Sequence, residues 1–160
     1  MTIGVGDKIP SVKVMTVTDG NPDETTTHDL MGSGKIALFS VPGAFTPTCS
    51  ARHLPGFVDQ ANALKAKGID KIVCMSVNDA FVMKAWSDAH HAGDAVAVLA
   101  DGNGDFADAL GLTMDASGFG MGKRAQRFSA ILDNGTVTHL NVEEGGAFDV
   151  SSADYMLGQL

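Results

Sequence analysis

Two nearly continuous apolar runs, KIALFSV (35–41) and KIVCMSV (71–77), constrain this chain more than any other feature of it. A strand with one solvated face alternates polar and apolar residues, so a strand with no polar face has to be covered on both sides. Both runs therefore read as central strands of a sheet. Between them Phe57, Val58, Ala61, Leu64 and Ala66 recur at approximately helical spacing, and Gly68 follows Lys65 and Lys67 as a stop. Strand, helix and strand in this order predict a crossover unit of the α/β class.

The rest of the chain extends that pattern. SVKVMTV (11–17) alternates at period two as an early strand, and VAVLAD (96–101) reads as a third buried one. A second helix is predicted after KIVCMSVN, with Asn78 or Asp79 as N-cap and with Phe81, Val82, Ala85, Trp86 and Ala89 on its inner face; His90 and His91 close it. GDFADALG (104–111) reads as a short helix ending at Gly111. RFSAILDNGTVTHLNV (127–142) places two β-rich runs around Asp133-Asn134-Gly135, a hairpin signal, and SSADYMLGQL is a candidate last helix. The order predicts an α/β domain of thioredoxin-like fold, a mixed central sheet with helices on both faces. No repeat, low-complexity tract or linker interrupts it, so residues 1–160 read as one domain, and a 44% hydrophobic content suffices for its core.

Charge and cysteine usage exclude some functions. Eleven Lys and Arg against nineteen Asp and Glu leave a net charge of −8, which makes nucleic acid or an anionic membrane a poor partner. No apolar run approaches the ~18 residues of a spanning helix, and MTIGVGDKIPSVKVM lacks a basic stretch followed by an apolar core. The expectation from these features is a cytoplasmic protein. Its two cysteines form no disulfide framework, so each is there for reactivity or for packing.

Cys49 and Cys74 stand in different settings. In FTPTCSARHL, Thr46 suits an N-cap and Pro47 a first helical residue, which puts Cys49 in the first turn, where unpaired backbone N–H groups favour a thiolate. Pro55 lies too deep to be a first-turn proline and predicts a kink or break in the following helix. Cys74 falls within an apolar strand, where desolvation opposes ionisation, and is assigned to packing. His53 follows Cys49 at a spacing that could place two metal ligands on one helical face, but no further Cys or His clusters with them, so neither a metal nor another cofactor is expected.

PGAFTPTC resembles the peroxiredoxin pattern of Pro, three residues, Thr or Ser, two residues and Cys, carried here by Pro42, Thr46 and Cys49. The longer run FSVPGAFTPTCSARHLPGF is similar to the type II peroxiredoxins, the group of peroxiredoxin 5. VGDKIP, CMSVNDAFVMKAW and GKRAQRFSAILDNG also match, so the resemblance runs through nearly the whole chain. It implies a thiol peroxidase in which Cys49 attacks hydrogen peroxide or an alkyl hydroperoxide and becomes a sulfenic acid. It implies that Arg127, ahead of Phe128 in RAQRF, holds the thiolate and orients the peroxide, with Arg124 as a secondary candidate. Thr46 would bridge thiolate and peroxide, and Pro42, with no N–H, would shield the sulfur from water.

Two rival readings fit less well. A thioredoxin-like disulfide oxidoreductase normally needs C-x-x-C, but positions 46 and 52 are Thr and Arg. A binding or chaperone-like module would have no reason to keep thiol, hydroxyl, proline and arginine together. The chain departs from the peroxiredoxin 5 pattern in its tail, GGAFDVSSADYMLGQL, which has no resolving cysteine. The resemblance then implies recycling by an outside thiol, glutaredoxin with glutathione in preference to thioredoxin, and a homodimer.

Overall fold

The computed structural model describes residues 2–160. The chain opens with a β-hairpin, β1 (Lys13–Thr18) and β2 (Asn21–Thr26), and a single-turn helix, α1 (Thr27–Met31). After β3 (Lys35–Ser40) comes a loop and then a π-helical turn (Cys49–His53), which runs straight into α2 (Leu54–Asp59) and on to α3 (Ala61–Ala66). Next follow β4 (Lys71–Ser76), α4 (Ala80–Ala89), β5 (Ala97–Ala100) and α5 (Asp105–Leu110). Two short strands, β6 (Thr113–Asp115) and β7 (Lys123–Ala125), precede the hairpin of β8 (Phe128–Asp133) and β9 (Thr136–Val142) and the last helix, α6 (Ala153–Leu157).

Seven strands form one mixed sheet in the order β2-β1-β5-β4-β3-β8-β9, while β6 and β7 pair separately. Strands β3, β4 and β5 are mutually parallel, and β1 and β8 flank them antiparallel. The continuous apolar runs follow directly from this position. Ala37, Phe39, Ile72 and Cys74 point into one core with Phe57, Leu64 and Trp86, while Ile36, Leu38, Val73 and Met75 point into a second core with Met31, Phe106 and Leu110. This is the thioredoxin-like arrangement of a mixed sheet covered on both faces. At the predicted hairpin tip, Asn134 and Gly135 both take positive φ (48° and 82°), as a two-residue type I′ loop requires.

Several local expectations are corrected. Strand β2, NPDETT, is polar and holds a proline; it shows no apolar alternation because it lies at the sheet edge, where one side needs no partner. Helix α4 turns Ala80, Met83 and Trp86 inward, leaving Phe81 73% exposed and Ala85 and Ala89 outside. The phase is fixed by Asp79, whose side chain accepts from Val82 N at 2.8 Å, and apolar residues all round the helix hide that phase in the sequence. Ala66 is also exposed: Phe57, Ala61 and Leu64 hold one buried face on both sides of the irregular Gln60 (φ −96°, ψ 8°), and Ala66, nine residues after Phe57, falls on the opposite side.

The deviation predicted at Pro55 takes the form of the wide turn before it, where Leu54 N donates to Cys49 O, one residue further back than in an α-helix. Proline has no N–H to continue the regular ladder, and a turn with one extra residue accommodates it.

Candidate active site

Strand pairing brings together residues far apart in sequence. Ser40 at the end of β3 lies opposite Phe128 at the start of β8, so the loop leaving β3 and the segment entering β8 meet at one end of these two interior strands. Residues 42–49 come from the first and Arg127 from the second. The backbone on either side of that arginine is pinned: Ser40 Oγ donates to Gln126 O at 2.8 Å, and Glu143 N donates to Arg127 O at 3.0 Å.

The loop is shaped by close packing. A Cβ on Gly43 would lie 3.0 Å from Met121 Cε and 3.1 Å from Thr46 Cγ2, so glycine lets these side chains close on the loop without giving way. Phe45 takes a left-handed conformation (φ 63°) and is 55% exposed, a strained choice for a bulky residue that turns the chain into the helix. Thr46 O accepts the first helical bond, from Ser50 N at 2.9 Å. Its side chain makes no capping bond to the first helical turn among the described residues; the hydroxyl instead donates backwards to Gly43 O at 2.7 Å, which leaves its lone pairs free.

Cys49 is fully buried, and Arg127 Nη2 donates to its sulfur at 3.0 Å. A guanidinium stays cationic at any working pH, so this contact sets a fixed positive charge against the sulfur. The other nitrogen, Arg127 Nη1, lies 2.7 Å from His53 Nδ1, and His53 Nε2 lies 2.9 Å from Ser151 O. Burial, helped by the charge of Arg127 and opposed by the bond to Ser151, lowers the His53 pKa from the usual 6.5 to about 3. Glu143 Oε2 in turn accepts from the amides of Asp149, Val150 and Ser151 and from Ser151 Oγ, which fixes the segment carrying that carbonyl.

A largely apolar cavity of about 460 Å³ has Pro42, Thr46 and Arg127 in its wall beside Met114, Phe119 and Met121; Cys49, fully buried, is not part of that wall and is linked to it through Arg127. Cys49, Arg127, Thr46 and Pro42 are thus gathered at one place. No hydrogen bond joins Thr46 to Cys49 among the described residues. Arg124 is turned to other work: its Nε donates to Met121 O at 2.9 Å and its Nη1 to Val77 O at 3.2 Å.

Cys74 is buried on β4, and burial pushes its thiol pKa well up; nearby Cys49 adds to the rise and Arg127 opposes it. Among the described residues no group of His, Cys, Asp or Glu could hold a metal ion, and no helix is long and apolar enough to cross a membrane. Sequence reasoning missed the parts played by His53 and Glu143. The signal for His53 was its position one turn beyond Cys49, which was weighed only as a metal spacing.

The redoxin family model matches residues 4–157. Peroxiredoxin-2E-2, chloroplastic, of Oryza sativa is 50% identical to this chain, covering 99% of it and 73% of the rice protein. Peroxiredoxin-2B of Arabidopsis thaliana is 46% identical, covering 99% and 98%. The crystal structure of reduced Prx3 from Vibrio vulnificus in complex with hydrogen peroxide superposes with a TM-score of 0.94 at 47% identity, over 99% of both chains. The cytoplasmic expectation is overturned by the rice relative, which is named for the chloroplast. That expectation rests on charge and on the lack of a spanning or leader-like apolar stretch, and neither feature specifies a compartment.

Proposed function

The chain belongs to the redoxin family and is a peroxiredoxin, and from that premise we propose a type II thiol peroxidase in which Cys49 is the peroxide-reactive residue and Arg127, Thr46 and Pro42 serve it. The single observation that carries the reading is the 3.0 Å contact between Arg127 Nη2 and Cys49 Sγ. A thiolate is the competent nucleophile, and a fixed cation beside it both stabilises it and polarises an approaching peroxide.

The thiolate attacks the nearer peroxide oxygen, the O–O bond breaks, and the leaving oxygen takes a proton to depart as water or an alcohol, while sulfur keeps the transferred hydroxyl as a sulfenic acid. Thr46, its own proton committed to Gly43 O, offers lone pairs to the peroxide O–H and so orients it. Pro42 walls the cavity without adding a donor that would hold water there. The apolar lining suits alkyl hydroperoxides as well as hydrogen peroxide, and the hydrogen peroxide complex of the Vibrio relative supports the smaller substrate.

The sulfenic acid condenses with an external thiol, releasing water and leaving a mixed disulfide; a second thiol then attacks that disulfide, restores Cys49 and leaves as the oxidised reductant. Support for an external thiol comes from the two-cysteine inventory and from the burial of Cys74 within a central strand. Glutathione with glutaredoxin is the favoured reductant and thioredoxin the alternative. A homodimer fits the exposed Phe45 and Phe81, which flank the bond from Ala44 N to Asn78 Oδ1.

The deciding experiment follows peroxide consumption by wild type, Cys49→Ser and Cys74→Ser with glutathione and glutaredoxin, and separately with thioredoxin and its reductase. Turnover is expected in wild type and Cys74→Ser, faster with the first system. Turnover retained in Cys49→Ser would remove the reading.

A further inference from the structure

We propose that His53 is the positioning residue of this site: its Nδ1 accepts from Arg127 Nη1 and thereby aims the second guanidinium nitrogen at the Cys49 sulfur. The proposal rests on the reading of Cys49 as the peroxide-reactive thiol.

Two neighbours of fixed character determine what the ring has to be. Arginine only donates, so Nδ1, 2.7 Å from Arg127 Nη1, has to present a lone pair. A carbonyl oxygen only accepts, so Nε2, 2.9 Å from Ser151 O, has to carry the proton. Together they select the neutral Nε2–H tautomer and no other form of the ring. The low His53 pKa is in keeping with this, since an imidazolium here would be buried and would face a guanidinium.

The ring itself is held rigidly. It is fully buried, and the rings of Phe39, Phe148 and Phe57 lie 4.8, 4.9 and 5.7 Å from its centroid. Phe148 is in turn covered by the Arg52 guanidinium, 4.7 Å from its centroid. Behind Nε2, the Ser151 carbonyl belongs to the segment that Glu143 gathers through three amides and a hydroxyl. A planar guanidinium tied at Nη1 to a fixed acceptor has its plane set, and its Nη2 then reaches sulfur without losing side-chain freedom at the moment of reaction. If Nη1 loses its partner, the long arginine side chain regains rotamers, and displacements of about 1 Å at a reacting centre cost on the order of 100-fold in rate.

A buried histidine can also be mere packing, and a double-mutant cycle separates the two roles. The readout is the single-turnover rate at which hydrogen peroxide converts Cys49 to a trapped sulfenic acid, quantified by mass spectrometry. His53→Leu is expected to slow this step about 10- to 100-fold when Arg127 is present, and by less than about threefold in the Arg127→Ala background. His53→Asn, whose Oδ1 occupies nearly the place of Nδ1, should recover most of the loss. An equal loss in both backgrounds, or no loss in a folded His53→Leu protein, overturns the proposal.

A measurement on the unaltered chain does not depend on any variant folding. Nitrogen NMR of the His53 ring at neutral pH should show the Nε2–H tautomer, and an Nδ1–H ring or an imidazolium overturns the proposal equally. Failure of the underlying reading would look different: Cys49→Ser would still consume peroxide.

Discussion

At Arg127, charge and placement act together. Removing the side chain takes away a cation 3.0 Å from sulfur and, on the proposed reading, a donor to the incoming peroxide. Arg127→Ala is therefore expected to slow Cys49 oxidation by roughly 100-fold or more, the scale seen when a preorganised donor is lost from a reacting centre. Arg124→Ala, which loses only bonds to the carbonyls of Met121 and Val77, should slow it far less. Stopped-flow oxidation of both variants checks the pair, and similar rates in the two would contradict the assignment. His53 makes a second residue-scale prediction, on stability. Its pKa is about 3 in the fold and about 6.5 in an unfolded chain. Between these values the unfolded state binds a proton that the folded state refuses. The contribution is intact above about pH 6.5 and is lost as pH falls towards 3, at about 1.4 kcal/mol per pH unit. Denaturant unfolding between neutral pH and about pH 4.5 should show that slope, and His53→Asn, with nothing to titrate, should flatten it. Equal acid sensitivity in both would place the lability elsewhere.

At the scale of elements, the segment 143–151 is a support made from one carboxylate. Glu143→Ala leaves three amides and a hydroxyl without their acceptor, which should cost on the order of 3 kcal/mol. Hydrogen exchange should speed up at Asp149, Val150 and Ser151 before it does anywhere in β3 or β4; unchanged protection there would mean that another contact holds the segment. Such a support is hard to foresee from sequence. The central strands were legible because burial on both faces leaves an unbroken apolar run, and the hairpin because Asn134 and Gly135 are the residues that positive φ demands. Strand β2 was not, since an edge strand need not be apolar. The face of α4 was not, since Phe81 is as hydrophobic as the residues that turn inward. The PGAFTPTC run marked the loop and its thiol, and RAQRF marked the arginine, but no local spacing encodes the contacts of Glu143, and the spacing of His53 from Cys49 does not reveal its partners Arg127 and Ser151. They became readable only when β8 and β9 were laid against β3 and the tail.

In the whole molecule, the ends of two interior strands bring an anchored guanidinium, a buried thiol and the wall of an apolar cavity together. Exposed aromatics beside the loop predict self-association, so Phe81→Ser, which removes a side chain 73% exposed in the monomer, should shift sedimentation from dimer towards monomer while leaving the fold intact. Unchanged sedimentation would place the interface elsewhere. Cys74, buried in a central strand, should matter to packing and not to turnover. On the proposed reading, oxidation begins and stays at Cys49 until an outside thiol arrives. Mixing reduced protein with an equimolar amount of hydrogen peroxide, without added thiol, and following both cysteines by trapping and mass spectrometry checks this. The expected result is a sulfenic acid at Cys49, Cys74 still a thiol, and conversion to a mixed disulfide when glutathione is added. Rapid, quantitative formation of a Cys49–Cys74 disulfide, within one chain or between two, would contradict it.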